Sequence, residues 1–169
     1  SIERWFSAQA GVNDHTSPVQ PMFTPYTLRS LRLANRVVVS PILTYAAGPD
    51  GCPNDFHLVH YGARALGGAG LIVTEMTAVS PDGRITPHCP GLYDDMQIAA
   101  WRRVTDFVHA NGEAKVCIQL GHAGARGATQ PGSIEPDRPL ERGGWPLIAA
   151  SSQPYRAGSQ TPVAMTRDD

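Results

Sequence analysis

The chain is expected to be an α/β protein with parallel strands, and three observations carry that expectation. Apolar runs of strand length alternate with segments of helical periodicity. Three of those runs, Val37-Val38-Val39, Leu71-Ile72-Val73 and Lys115-Val116-Cys117-Ile118, end in polar or functional side chains rather than in more core. The 15 prolines and 17 glycines gather between the runs and late in the chain, which suits long loops on a compact scaffold.

The elements follow in order. Residues 1–21 read as a linker or inter-domain joint. Within them, Ile2-Glu3-Arg4-Trp5-Phe6 suits a short amphipathic turn, and Gly11 to Pro18 is polar and turn-forming. Residues 22–169 make up the body. Thr27-Leu28-Arg29-Ser30-Leu31-Arg32-Leu33 alternates apolar and basic residues about Arg29-Ser30, a small hairpin with one face buried. The β-branched triplet Val37-Val38-Val39 is the first buried strand, and it stops at Ser40-Pro41 because proline has no amide hydrogen for a ladder.

Phe56, Val59, Ala63 and Leu66 are spaced for one face of a helix, with Asp55 as its N-cap and Gly67-Gly68 as its stop. Leu71 to Met76 is the second strand, and Pro81-Asp82-Gly83 turns a long loop that runs to Leu92. A second helix is predicted over Met96 to Ala110. Ile98, Trp101, Val104 and Val108 lie on one side, and Arg102, Arg103 and Asp106 lie opposite; Asn111-Gly112 ends it. Lys115 to Leu120 is the third strand. Pro146 to Ser151 is a short apolar run that suits a loop strand.

Parallel α/β sheets place ligands at the carboxyl ends of their strands, so three strand ends converge on one candidate site. A closed eight-unit barrel takes about 250 residues, and only three βα units are legible here. Thr166-Arg167-Asp168-Asp169 reads as a capping box without its helix. The expectation is a partial (β/α)8 barrel: its first three βα units, preceded by a β-hairpin.

Composition narrows the function classes. The formal net charge is −1 with no Lys/Arg stripe, which argues against nucleic acid and anionic membranes as partners. No apolar run approaches the roughly 20 residues of a membrane span, and no signal peptide is legible. Cys52, Cys89 and Cys117 are too few for a disulfide framework and point to a cytoplasmic setting. Cys52, His57, His60, His88 and Cys89 lack the tight paired spacing of a metal site, so none is expected.

Several blocks together resemble the Old Yellow Enzyme family of FMN-dependent NAD(P)H:flavin oxidoreductases. They are Phe23-Thr24-Pro25, Asn35 to Pro41, His57-Leu58-Val59-His60-Tyr61, Thr74 to Val79, Gly83-Arg84-Ile85 and Ile118 to Gly124, in the family's order. The resemblance implies a TIM barrel with FMN at its carboxyl-terminal mouth, NAD(P)H as co-substrate and a small-molecule acceptor. A finer resemblance, in residues 1–11, 86–92 and 101–110, is to the reductase half of salicylyl-CoA 5-hydroxylase and 2-aminobenzoyl-CoA monooxygenase/reductase. It implies that an FAD hydroxylase domain precedes residues 1–21. The acceptor would then be an activated alkene or a dearomatised aromatic acyl-CoA.

The resemblance also assigns roles. Ser40, Pro41, Ile42 and Leu43 line the flavin, largely through backbone; the plain alternative is a buried strand leaving the core. Leu43 stands where many relatives have Cys or Thr, so no side-chain tuning of the flavin is expected there. Gln119 is the amide for the pyrimidine edge of FMN, against a solvated residue ending a strand. Met76 packs near the same ring, or is simply core.

Tyr45 faces the substrate and is the one catalytic candidate in this chain, or else is a tyrosine packed on the barrel rim. His122 and Arg126, in the glycine-rich Gly121 to Gly127 loop, are substrate-binding candidates. That loop lacks the three-glycine dinucleotide pattern, and Ala125 occupies the place where relatives carry arginine. The carbonyl-polarising pair and the phosphate-binding groups of the family belong to later barrel units. The alternative to an oxidoreductase is therefore a non-catalytic remnant, or a subunit that needs a second chain to complete its barrel.

Overall fold

The computed structural model describes residues 20–131 and 137–168. The Ile2 to Phe6 turn expected from the sequence lies outside them. Pro21–Phe23 forms one 3₁₀ turn, and a hairpin follows in which β1 (Tyr26–Leu28) pairs antiparallel with β2 (Leu31–Leu33). Arg29 takes a left-handed φ of 53° in the two-residue turn. The hairpin does not bury one face as expected. Only Leu33 is buried, and Tyr26, Leu28 and Leu31 remain exposed.

The body is a three-stranded parallel sheet in the order β3 (Val38–Val39), β4 (Leu71–Ala78), β5 (Lys115–Gly121). Two helices, α1 (Asp55–Leu66) and α2 (Asp95–Asn111), cover one of its faces. This is the expected alternation of strand and helix: part of a (β/α)8 barrel, with no closed ring.

Asn54, not Asp55, caps α1. Its side-chain oxygen accepts from the Phe56 N–H at 3.0 Å, and His57 Nδ1 accepts from the Asn54 N–H at 3.1 Å, so cap and helix satisfy each other. Past Gly67, Gly68 takes a φ of +85° at the stop, where a residue with a Cβ would be strained. Asp94 caps α2 by accepting from the Met96 N–H at 2.8 Å, so that helix starts one residue earlier than the apolar pattern suggested.

Between sheet and helices lies the core: Tyr61, Ala65, Ala69, Ile72, Trp101, Val104, Val108 and Ala114, joined by Val39, Leu92, Val116 and Ile118. The helix expected over Phe56 to Leu66 forms, and its orientation is set by its other residues. Phe56, Val59 and Leu66 are exposed, while His57, Tyr61, Gly62 and Ala65 face inward. The apolar spacing was real, but it marks the outer face. In α2, Trp101, Val104 and Val108 are buried as expected, yet Ile98 is exposed and Gln97 is buried in its stead. Gln97 ties loops together, donating to the Asp50 carbonyl (2.8 Å) and accepting from the Tyr93 N–H (2.9 Å).

The late apolar run becomes β6 (Ile148–Ala149), which pairs in parallel with β7 (Val163–Ala164), a strand the sequence reading did not anticipate. Near the end, Thr166 Oγ1 accepts from the Asp168 N–H at 3.3 Å, as a capping residue does. Asp169, the other half of the expected box, lies outside the described residues.

Candidate functional site

Parallel pairing brings the carboxyl ends of β3, β4 and β5 to one edge of the sheet. Val39 is opposite Ile72, and Met76 is opposite Gln119. Pro41 follows the end of β3 by two residues, at the carboxyl end of the sheet where Met76 and Gln119 pair.

A bulge in β4 sets which side chains face which way. From Val73 opposite Cys117 to Met76 opposite Gln119, β4 advances three residues while β5 advances two. Such an extra residue re-aims the side chains beyond it. Ile72 packs among the helices, and plain alternation would turn a side chain three positions later to the other face. With the bulge, Glu75 also points to the helix side, where it meets Tyr61 and His57. Met76 is left for the open side. It packs against Gly121, where an added Cβ would come within 3.1 Å of the methionine Cγ. Glycine there keeps the open face flat beside the methionine.

The candidates on this open rim are accessible. Ser40, Pro41 and Ile42 are exposed, Leu43 is half-buried, and Gln119 is exposed. An exposed apolar shelf next to a carboxamide, which offers both donor and acceptor, has the chemistry a flat heteroaromatic ring needs.

Tyr45 lies just beyond the shelf, half-buried, with a left-handed φ of 56°. Burial pushes its phenol up from the usual value, against the pull of the Arg126 guanidinium; Cys89 and Asp137 add to the rise. Tyr45 and Arg126 are thus neighbours in charge terms. Arg126 closes the 3₁₀ turn Gly124–Arg126 and is pinned by Asp137, whose Oδ1 lies 2.8 Å from both Nε and a terminal guanidinium nitrogen. The Tyr155 hydroxyl donates to the other Asp137 oxygen at 3.1 Å. This anchor was not foreseen. It gives Arg126 a fixed place even though the residue falls one position late in its loop.

His122 sits at the start of the same loop. Its Nδ1 accepts from the Gly124 N–H at 3.0 Å, and its Nε2 stands 3.8 Å from Asp82. The Ser80 hydroxyl and the His122 imidazole outweigh partial burial and hold the Asp82 carboxyl below its usual value. Among the described residues, no group of three or more His, Cys, Asp or Glu side chains gathers to hold a metal.

Beneath the rim lies a polar cluster to which the sequence reading gave no role. Glu75 is fully buried and collects three donors. The Thr44 N–H reaches Oε2 at 2.9 Å, the Thr44 hydroxyl reaches Oε1 at 2.9 Å, and the Tyr61 hydroxyl reaches Oε1 at 3.2 Å. Tyr61 in turn accepts from the Glu75 N–H at 2.9 Å.

His57 Nδ1 is used as an acceptor at the helix cap, so Nε2 carries the ring proton. Nε2 stands 3.3 Å from Glu75 Oε1, near enough to attract the carboxylate but poorly aligned for a hydrogen bond. Burial pushes the Glu75 carboxyl up, yet His57 and the Thr44 donors together outweigh it and hold it below the usual carboxylate value. The one signal in the sequence was a carboxylate inside an apolar strand, which needs buried partners.

Comparison with known proteins matches the fold that carries these residues. Residues 21–161 fit the model of the NADH:flavin oxidoreductase / NADH oxidase family. Morphinone reductase, solved in complex with tetrahydroNAD, is similar at 31% identity with a TM-score of 0.71, over 87% of this chain and 41% of that one. TcOYE, solved with pHBA, is similar at 28% identity with a TM-score of 0.69, over 87% of this chain and 43% of that one. The chain thus spans about two fifths of the length of these solved relatives. With its parallel strand ends, its open shelf and this match, the chain belongs to the NADH:flavin oxidoreductase / NADH oxidase family, the Old Yellow Enzyme family, and forms part of that family's barrel.

Proposed function

We propose that this chain is the ring-binding part of an FMN-dependent NAD(P)H oxidoreductase of ene-reductase type. The observation that carries the reading is Met76 set opposite Gln119 at the carboxyl end of adjacent parallel strands, on the face left open by the helices. Ser40, Pro41, Ile42 and Leu43 would supply the shelf and backbone amides, Met76 a polarisable contact, and Gln119 the hydrogen bonds to the ring's polar edge. The chemistry FMN supplies when bound is two-electron: a hydride taken from NAD(P)H is given to an electron-poor carbon of the acceptor, and a proton completes the reduction.

In this reading the chain's own groups orient the acceptor and handle that proton. The Tyr45 phenol, protonated at neutral pH by its ordinary pKa of about 10 and pushed further up by burial, can donate to the acceptor. Arg126, held by Asp137, and His122 line the substrate side. Leu43 offers no thiol or hydroxyl to tune the flavin.

The acceptor is an activated alkene or, on the finer resemblance, a dearomatised aromatic acyl-CoA, with an FAD hydroxylase domain before residues 1–21; the sparse cysteines Cys52, Cys89 and Cys117 favour a cytoplasmic setting. No helix among the described residues is long and apolar enough to cross a membrane. The rest of the barrel comes from further polypeptide. The second reading, a piece that neither holds FMN nor turns over by itself, is favoured by the open face of the sheet.

The test is to desalt the purified 169-residue chain after adding FMN, read the flavin absorbance, and assay NAD(P)H oxidation. The same is done with the chain extended to a whole barrel. Flavin retained and turned over only by the extended form supports both statements. Flavin absent from both forms overturns the functional reading.

A further inference from the structure

We propose that Glu75 is a positioning residue for Tyr45. Its buried carboxylate fixes both the amide and the hydroxyl of Thr44, and so holds the next residue in its left-handed backbone conformation at the rim.

Three features of the geometry support this. The first is where the bonds go. Thr44 gives Glu75 its N–H (2.9 Å to Oε2) and its hydroxyl (2.9 Å to Oε1), a two-point grip on the residue just before Tyr45. The second is strain. Tyr45 sits at a φ of 56°, which an aromatic residue adopts only when its surroundings enforce it. The third is rigidity below. Glu75 is held by Tyr61 through a reciprocal pair of hydrogen bonds, and His57 stands against the same oxygen while capping α1. Glu75, His57 and Tyr61 are each 3% exposed or less.

The chain of contacts runs from the α1 cap through the β4 bulge to the rim. A stable core carboxylate has no need to reach a loop residue; this one takes both the backbone N–H and the side-chain hydroxyl of Thr44. The functional half of the proposal rests on the reading of Tyr45 as the substrate-facing phenol, and the structural half does not.

Glu75→Gln separates the two halves. Three donors aim at the carboxylate, and a carboxamide offers one acceptor oxygen, so at least one donor then faces an NH₂ group. The first measurement is native-state amide exchange in the intact polypeptide. Loss of the charge-assisted bond should speed exchange at Thr44 by about tenfold or more, while the Ile72 amide in the core stays within about twofold of wild type. Unchanged exchange at Thr44, or equal acceleration at Thr44 and Ile72, overturns the proposal.

Should that variant fail to fold, Thr44→Val removes one rim donor and leaves the buried pair alone. Faster exchange over residues 44–47 with Ile72 unchanged supports the grip; unchanged exchange there overturns it.

The second measurement is turnover by the FMN-loaded whole barrel. Glu75→Gln should lower kcat with FMN affinity unchanged, and the loss should vanish in a Tyr45→Phe background. An equal loss in both backgrounds overturns the functional half. A wild-type barrel without flavin turnover instead sinks the proposed function and leaves the exchange result standing.

Discussion

The two faces of the three-stranded sheet are built from the same strands under different demands. On the helix-covered face, Ile72, Val116 and Ile118 pack against Tyr61, Trp101, Val104 and Val108, and even the one carboxylate, Glu75, is enclosed and fully bonded. On the open face, Met76 lies over Gly121, Gln119 presents its carboxamide and Cys117 is exposed. Covered positions are constrained by volume and by the cost of an unmet polar group. Open positions are constrained only by what docks on them. The β4 bulge is the boundary, because it assigns Glu75 to the first set and Met76 to the second.

The comparison predicts a steep gradient of mutational cost, steepest at Trp101. Its ring is 3% exposed, and its indole N–H donates to the Gly91 carbonyl at 3.1 Å. Trp101→Ala removes that bond and opens a cavity, which should cost about 3–5 kcal/mol. Urea unfolding followed by circular dichroism measures it. A cost below about 1 kcal/mol, the centre of the distribution for point changes, would mean that the covered face is not close-packed.

Next comes the pH dependence of the same face. The Glu75 carboxyl is held below its usual value when folded. Its contribution is therefore present above the unfolded value of about 4.3 and is lost as the pH falls through the lower folded value. As the pH falls below about 4.3, wild type should lose stability more steeply than Glu75→Gln. Parallel stability curves for the two proteins would show that the buried carboxylate gains nothing from its partners.

Gln119 tests the open face. Gln119→Ala should change folding stability by less than about 0.5 kcal/mol. It should also weaken FMN binding to the completed barrel by about 0.5–1.5 kcal/mol, the net value of a hydrogen bond. Flavin fluorescence titration reads the second effect and urea unfolding the first. A large stability loss with unchanged flavin affinity would move Gln119 to the covered set.

Much of this was legible in the sequence, for reasons that also explain what was not. Val37 to Val39, Leu71 to Val73 and Lys115 to Ile118 announce strands through β-branched and apolar runs, and Trp101, Val104 and Val108 announce a buried helix face. That Pro41, Met76 and Gln119 lie near the same carboxyl end of the sheet follows from parallel pairing; that Met76 faces the open side opposite Gln119 follows from the bulge. The bulge does not, because one extra residue shows only against a partner strand about forty residues away. The burial of His57 and Tyr61 depends on Glu75, which belongs to another element. Asp137 as the anchor of Arg126 depends on a loop whose path the sequence does not set.

The outward stripe of α1 is where reading by periodicity and reading by partners diverge most, and Leu66 separates them. Helical spacing groups it with Phe56, Val59 and Ala63 as an apolar face, which a sequence argument turns toward the core. In that orientation Leu66→Ala would cost about 2–5 kcal/mol. The structure leaves Leu66 64% exposed and gives the inward face to His57, Tyr61, Gly62 and Ala65. The same substitution should then stay within about 0.5 kcal/mol, helped by the better helix propensity of alanine. The small inward residues let α2 approach closely, since a Cβ on Gly62 would meet the Phe107 ring at 2.7 Å. A bulky apolar face could not pack there, so its residues turn outward. Urea unfolding of Leu66→Ala decides between the two orientations, and a cost above about 2 kcal/mol would reverse the assignment of the α1 faces.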